Sequence, residues 1–96
     1  MNLLVCYDVS TIEAPGRRRL HKVAKACEAF GQRVQNSVFE CTVQAVDYER
    51  LRQRLIKIIE PDEDSLRIYR LATDRERVVE VYGLDKYRDM NGPLIF

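Results

Sequence analysis

Met1-Asn2-Leu3-Leu4-Val5-Cys6-Tyr7-Asp8-Val9 opens the chain. Its almost unbroken apolar character predicts a strand deep in a sheet rather than at an edge. The acidic residue stands at the far end of the run. Ser10 to Gly16 holds the breakers Ser, Thr, Pro and Gly and reads as a loop. Beyond it come Arg17, Arg18 and Arg19. A carboxylate delivered to a strand end, with guanidinium groups close behind, is an arrangement suited to a divalent cation and phosphate.

Outward from this strand, Leu20, Val23, Ala24, Cys27 and Phe30 recur at helical spacing, predicting a helix over 17–30. Gly31 suits the position just past its end. Arginines at a helix start add like charge to an electropositive end, which a bound anion would offset. Gln32 to Val43 reads as one strand with an internal conflict. Val34 and Val38 share one phase, whereas Phe39, Cys41 and Val43 take the other, so a bulge or break is expected near 36–39.

Asp47 is the expected N-cap of a second helix to Ile59, with Leu51, Leu55, Ile58 and Ile59 inward. Pro61 stops it, and Asp62-Glu63-Asp64 forms an acidic turn. Ser65–Leu71 and Val78–Tyr82 read as two further strands. Helices among strands with short connections predict an α+β fold: a ferredoxin-like, βαββαβ-type sandwich with an antiparallel sheet. Both helices would cover one sheet face. Apolar positions on both strand phases call for cover on the other, which a second copy would supply in a sheet-to-sheet homodimer.

At 96 residues the chain is expected to be one domain, taken as 1–82 with a tail over 83–96. No apolar run approaches the ~20 residues of a membrane span, and no secretory signal is visible, so a cytoplasmic location and no membrane partner are expected. The net charge of +1 argues against a uniformly basic coat. Charge is nevertheless concentrated between Arg17 and Arg33, where six basic residues face Glu28 alone. The three cysteines, Cys6, Cys27 and Cys41, an odd number at wide spacing, suit neither a disulfide framework nor a zinc site, and read as reduced apolar residues. His21 lies within the helix pattern beside Lys22 and reads as a surface residue, leaving no histidine base.

Tyr7-Asp8-Val9-Ser10 after an apolar strand, a basic helix start, and Gly31-Gln32-Arg33-Val34-Gln35-Asn36-Ser37-Val38-Phe39-Glu40 together resemble the small CRISPR-associated family called "Cas two". Asp64-Ser65-Leu66-Arg67-Ile68-Tyr69-Arg70-Leu71 and the terminal Gly92-Pro93-Leu94-Ile95-Phe96 are similar to its third strand and C-terminus, whereas 72–88 shows little to match. The resemblance implies a ferredoxin-like homodimer whose tail adds a short strand to the partner's sheet. It implies a role in acquiring CRISPR spacers beside an integrase subunit, as a metal-dependent endonuclease on double-stranded DNA or RNA. A non-catalytic scaffold that binds duplex DNA and bridges integrase subunits is the alternative.

By the same resemblance, Asp8 is the metal residue; a two-fold axis near the end of the first strand would set a second Asp8 opposite it, so that Mg²⁺ or Mn²⁺ is shared between the two copies. Tyr7 and Ser37 would assist catalysis. Arg17, Arg18, Arg19, Lys22, Arg33 and Phe39 are the expected nucleic-acid contacts, Arg18 and Arg19 being preferred on the first helix. Two other uses of such a sandwich fit less well. No strand carries the aromatic pattern of an RNA-recognition motif, and no glycine-rich effector loop is present.

Overall fold

The structure is a computed structural model and describes residues 1–87. Four strands and two long helices alternate as β1 (Asn2–Asp8), α1 (Ala14–Glu28), β2 (Gly31–Gln35), β3 (Val38–Thr42), α2 (Ala45–Ile58) and β4 (Ser65–Leu71). A single helical turn, α3 (Arg75–Val78), follows. All strand pairs are antiparallel, in the order β2-β3-β1-β4. This is the expected βαββαβ arrangement, with β1 between β3 and β4.

The alternation of β1 divides the molecule. Leu3, Val5 and Tyr7 are buried against the helices, while Leu4 and Cys6 are half-buried on the opposite, open face and Asp8 is exposed there. Phe39 and Cys41 continue the inward layer on β3, and Leu66 and Ile68 pack against it from β4. The helices close the core with Val23, Ala24, Ala26, Cys27, Leu51 and Leu55. Among the described residues no charged or polar residue is buried as a whole, although the Asp64 side chain is enclosed. All three cysteines are free; Cys27 and Cys41 are buried and Cys6 is half-buried.

Four sequence expectations need correction. First, α1 begins at Ala14 rather than Arg17, with Pro15 in its first turn. Proline is preset for that position and loses no hydrogen bond there. The arginines therefore stand in the second turn, where the amides of Gly16 and Arg17 already reach the Glu13 carbonyl, at 3.1 and 3.2 Å. The expected repulsion at a helix end is correspondingly reduced, because that effect fades beyond the first turn.

Second, the strand expected over 32–43 is a hairpin, β2 and β3, with Asn36 and Ser37 as its turn. A register shift between Arg33 and Gln35 precedes the turn. The phase conflict noted above thus has two causes: Val34 falls in the irregularity, and Val38 begins a new strand whose core face carries Phe39 and Cys41. Third, the N-cap position of α2 is Gln44, whose side chain makes no cap hydrogen bond, and Asp47 sits within the first turn, where a carboxylate still complements the helix dipole.

Fourth, Val78–Tyr82 forms no strand. Val78 ends α3, and the chain runs irregularly from Val79 to Tyr87. β-Branched residues make a strand only where a sheet edge receives them, and among the described residues none does. Arg75 instead pairs with Glu40 of β3, lies 3.6 Å from Asp85, and places its guanidinium 3.5 Å from the Tyr87 ring centroid. These contacts draw the segment after β4 over part of the open face. A groove results, with Leu4, Cys6 and Val38 on one side and Val78, Val81 and Leu84 on the other. The strand expected from Pro93–Phe96 lies outside the described residues.

Candidate functional site

Asp8 is the last residue of β1, with its carboxylate exposed on the open-face side and its backbone opposite Ser65 of β4. Tyr7, one residue earlier, necessarily points the other way. It is 4% exposed, its ring lies 6.2 Å from that of Phe39 at 26°, and its hydroxyl donates to the Asn36 carbonyl at 3.4 Å. Burial raises the Tyr7 pKa, so its phenol stays neutral near pH 7. The Tyr7 amide donates to the Ser37 carbonyl at 3.1 Å. The β2–β3 turn is therefore tied to the end of β1 by its backbone, and half-buried Ser37 stands beside that end.

The expected nucleic-acid residues separate into three groups. Phe39 is fully enclosed in the core and has no ring face free for a base. Arg33 is exposed but engaged: its guanidinium lies 5.3 Å from the Phe39 ring centroid and 3.8 Å from Glu28. On α1, Arg18 and Lys22 are exposed, and with Ala14, Arg17 and His21 they line a shallow basic depression. The Arg17 guanidinium donates to the carbonyls of Thr11 and Ile12 at 3.2 and 3.4 Å, which holds the preceding loop.

Arg19 behaves differently from its neighbours. Its Nε donates to Asp64 Oδ2 at 2.8 Å, and its Nη2 reaches Asp64 Oδ1 at 3.2 Å and Glu63 at 3.1 Å. The Asp64 side chain is completely enclosed, and its carboxylate also accepts from the amides of Ser10 at 3.2 Å and Glu60 at 2.8 Å. The Arg19 hydrogen bonds, followed by the backbone ones, hold its carboxyl below the usual range. Arg19 is thus committed to a buried ion pair rather than offered to a phosphate. Sequence reasoning passed over Asp64, because Asp62-Glu63-Asp64 reads as an ordinary solvated turn and nothing local marks the third residue as enclosed.

Among the described residues, no three His, Cys, Asp or Glu side chains gather as a metal site. Among the described residues, one strand ends on a carboxylate, Asp8. A hard oxygen donor suits Mg²⁺ or Mn²⁺, but such ions are ordinarily held by one or two carboxylates with water and substrate phosphate completing the shell. No described helix is long and apolar enough to cross a membrane.

Comparison with known proteins joins these residues to one family. The profile of the family described as CRISPR associated protein Cas2 matches residues 1–78, which run from β1 through α3. The chain belongs to the Cas2 family. Among Cas2 relatives, the CRISPR-associated endonuclease Cas2 of Halalkalibacterium halodurans is 48% identical over 96 residues, covering both chains completely. The CRISPR-associated endoribonuclease Cas2 1 of Moorella thermoacetica is 46% identical over 95 residues, or 99% of each chain. The crystal structure of Streptococcus pyogenes Cas2 at pH 6.5 superposes with a TM-score of 0.78 at 48% identity, covering 86% of this chain and all of that one. The Cas2 fold therefore extends across β1, where Asp8 stands.

Proposed function

We propose that this chain acts as a two-fold pair joined through its open sheet faces, and that the pair is a metal-dependent endonuclease cutting phosphodiester bonds in DNA or RNA during CRISPR spacer acquisition. The observation that carries the reading is Asp8, an exposed carboxylate ending the central strand on the same face as half-buried Leu4, Cys6 and Val38. Pairing over that face would cover apolar surface and bring a second Asp8 toward the first. The names of the Cas2 relatives, endonuclease and endoribonuclease, support the reaction class.

Asp8 from each copy would hold Mg²⁺ or Mn²⁺, and that ion, when bound, activates water and offsets charge on the phosphate. The chain's other residues divide the remaining work. Arg18 and Lys22 receive backbone phosphates on the outer, helical side. Tyr7 and Ser37 keep the strand end and the hairpin turn in one rigid unit. Asp8→Asn should abolish Mn²⁺-stimulated cleavage of duplex and single-stranded substrates while leaving the sedimentation coefficient of the pair unchanged. Undiminished cleavage by that variant would end the reading.

That β1 ends on one lone carboxylate, Asp8, also favours a second reading, a duplex-binding scaffold that bridges integrase subunits without chemistry of its own. That role predicts salt-sensitive, sequence-tolerant DNA binding that Asp8→Asn leaves intact.

A further inference from the structure

The loop that leaves Asp8 is gripped from two sides at Ser10. From one side the enclosed Asp64 carboxylate takes the Ser10 amide at 3.2 Å. From the other, Gly16 of α1 lies so close that a Cβ there would stand 1.7 Å from the Ser10 carbonyl oxygen and 2.9 Å from its carbon. The donor is therefore bonded and the acceptor crowded on the same residue, two positions beyond Asp8. The residue after Asp64 is Ser65, which lies opposite Asp8 in the β1–β4 pairing. The same carboxylate also holds the Glu60 amide just beyond α2 and the Arg19 guanidinium of α1. Three stretches of chain thus meet at one side chain, the loop after β1, α1 and the turn between α2 and β4, and two of them adjoin Asp8.

We infer that Asp64, Arg19 and Gly16 are positioning residues that clamp Ser10 and so fix the direction in which the Asp8 carboxylate leaves the sheet. The inference rests on the reading of Asp8 given above and assigns these residues no contact with substrate. The chemistry of the clamp is demanding. Asp64 receives four N–H groups, two on each oxygen: Ser10 and Arg19 Nη2 on Oδ1, Glu60 and Arg19 Nε on Oδ2. An ionised carboxylate has about four acceptor positions, and all are used. An amide in its place must turn its NH₂ toward either the Ser10 or the Glu60 donor, so asparagine cannot replace it without breaking one arm. Gly16 admits no side chain for a separate, steric reason, which gives an independent handle on the same residue.

The test compares wild-type protein with D64N, R19Q, R19K, G16A and D8N. Mn²⁺ binding is read by electron paramagnetic resonance without nucleic acid. Amide hydrogen exchange is read at Ser10, and kcat and KM are measured for cleavage. Expected for D64N and G16A are faster Ser10 exchange, at least fivefold weaker Mn²⁺ binding and a lower kcat, with KM for nucleic acid within twofold of wild type. R19Q should move the same way by less, and R19K should recover part of the loss. R19Q and G16A carry the comparison if D64N does not fold. Wild-type Mn²⁺ binding in folded D64N or G16A, alongside its loss in D8N, would overturn the positioning alone. A defect confined to KM would likewise overturn it, by making the pair part of the phosphate surface. Equal Mn²⁺ binding in D8N and wild type would overturn the reading of Asp8 and the positioning with it.

Discussion

Replacing Phe39 distinguishes a core residue from a nucleic-acid contact. Phe39 is fully enclosed at the centre of the sheet, opposite Val5 on one side and Arg33 on the other, with Tyr7 stacked 6.2 Å away. Truncation to alanine removes the ring's transfer free energy and leaves a cavity that rigid strands on both sides cannot close. About 3–5 kcal/mol should be lost. Leucine keeps most of the volume but forfeits the aromatic pair, for about 1–2 kcal/mol. In a domain of this size each kcal/mol lowers Tm by about 4–8 °C, so alanine should bring Tm down by about 12–40 °C. The loss would be a large share of the total of roughly 5–15 kcal/mol. Urea unfolding at one fixed chain concentration measures it, since any association would add stability by mass action. Nucleic-acid affinity of the folded leucine variant should equal that of wild type. An alanine penalty below about 1 kcal/mol, or a tenfold loss of affinity in a leucine variant of near-normal stability, would refute the core assignment.

Three further outcomes are expected. Asp64 has its carboxyl held low by Arg19, so its stabilising contribution is complete above the unfolded value near 3.8 and is lost as pH falls through the lower folded value. The stability gap between wild type and D64N, followed by urea midpoints, should be level above about pH 5 and shrink below about pH 4. Arg18→Gln and Lys22→Gln should each reduce the slope of log affinity against log salt by about 0.9 for duplex DNA, whereas Arg19→Gln should change it little. Burial pushes the Cys27 and Cys41 thiols up to about 12 and about 11, so at pH 8 alkylation should reach half-buried Cys6 first. Dilution should accelerate Cys6 labelling if pairing covers the open face, and mass spectrometry of timed samples would show whether it does.

Much of this fold was legible because its signals are local. The apolar run ending at Asp8 marked the central strand, and the spacing of Val23, Ala24 and Cys27 marked the buried face of α1. The clash of phase around Val38 announced a break, although only tertiary pairing shows that the break is a hairpin turn. The start of α1 was misjudged because Pro15 and Gly16 look like breakers, whereas the first turn tolerates one and close packing on Ser10 requires the other. At the candidate site, Asp8 was legible from its place at a strand end. The commitment of Arg19 was not, since its partner Asp64 lies 45 positions away in an acidic turn that looks solvated. Val78–Tyr82 was misread because a propensity for extended structure says nothing about whether an edge is there to receive it.

The strict two-residue alternation of β1 reaches beyond this one molecule. Between Leu3 and Asp8 the chain can tolerate gain or loss of residues only in even numbers. One added residue would rotate the acid inward among the helices and turn Tyr7 onto the open face, exchanging an exposed carboxylate for a buried charge in a single step. Length drift in this strand should therefore be quantised, whereas the span between Ser10 and Ala14 is free of that arithmetic as long as Ser10 still meets Gly16.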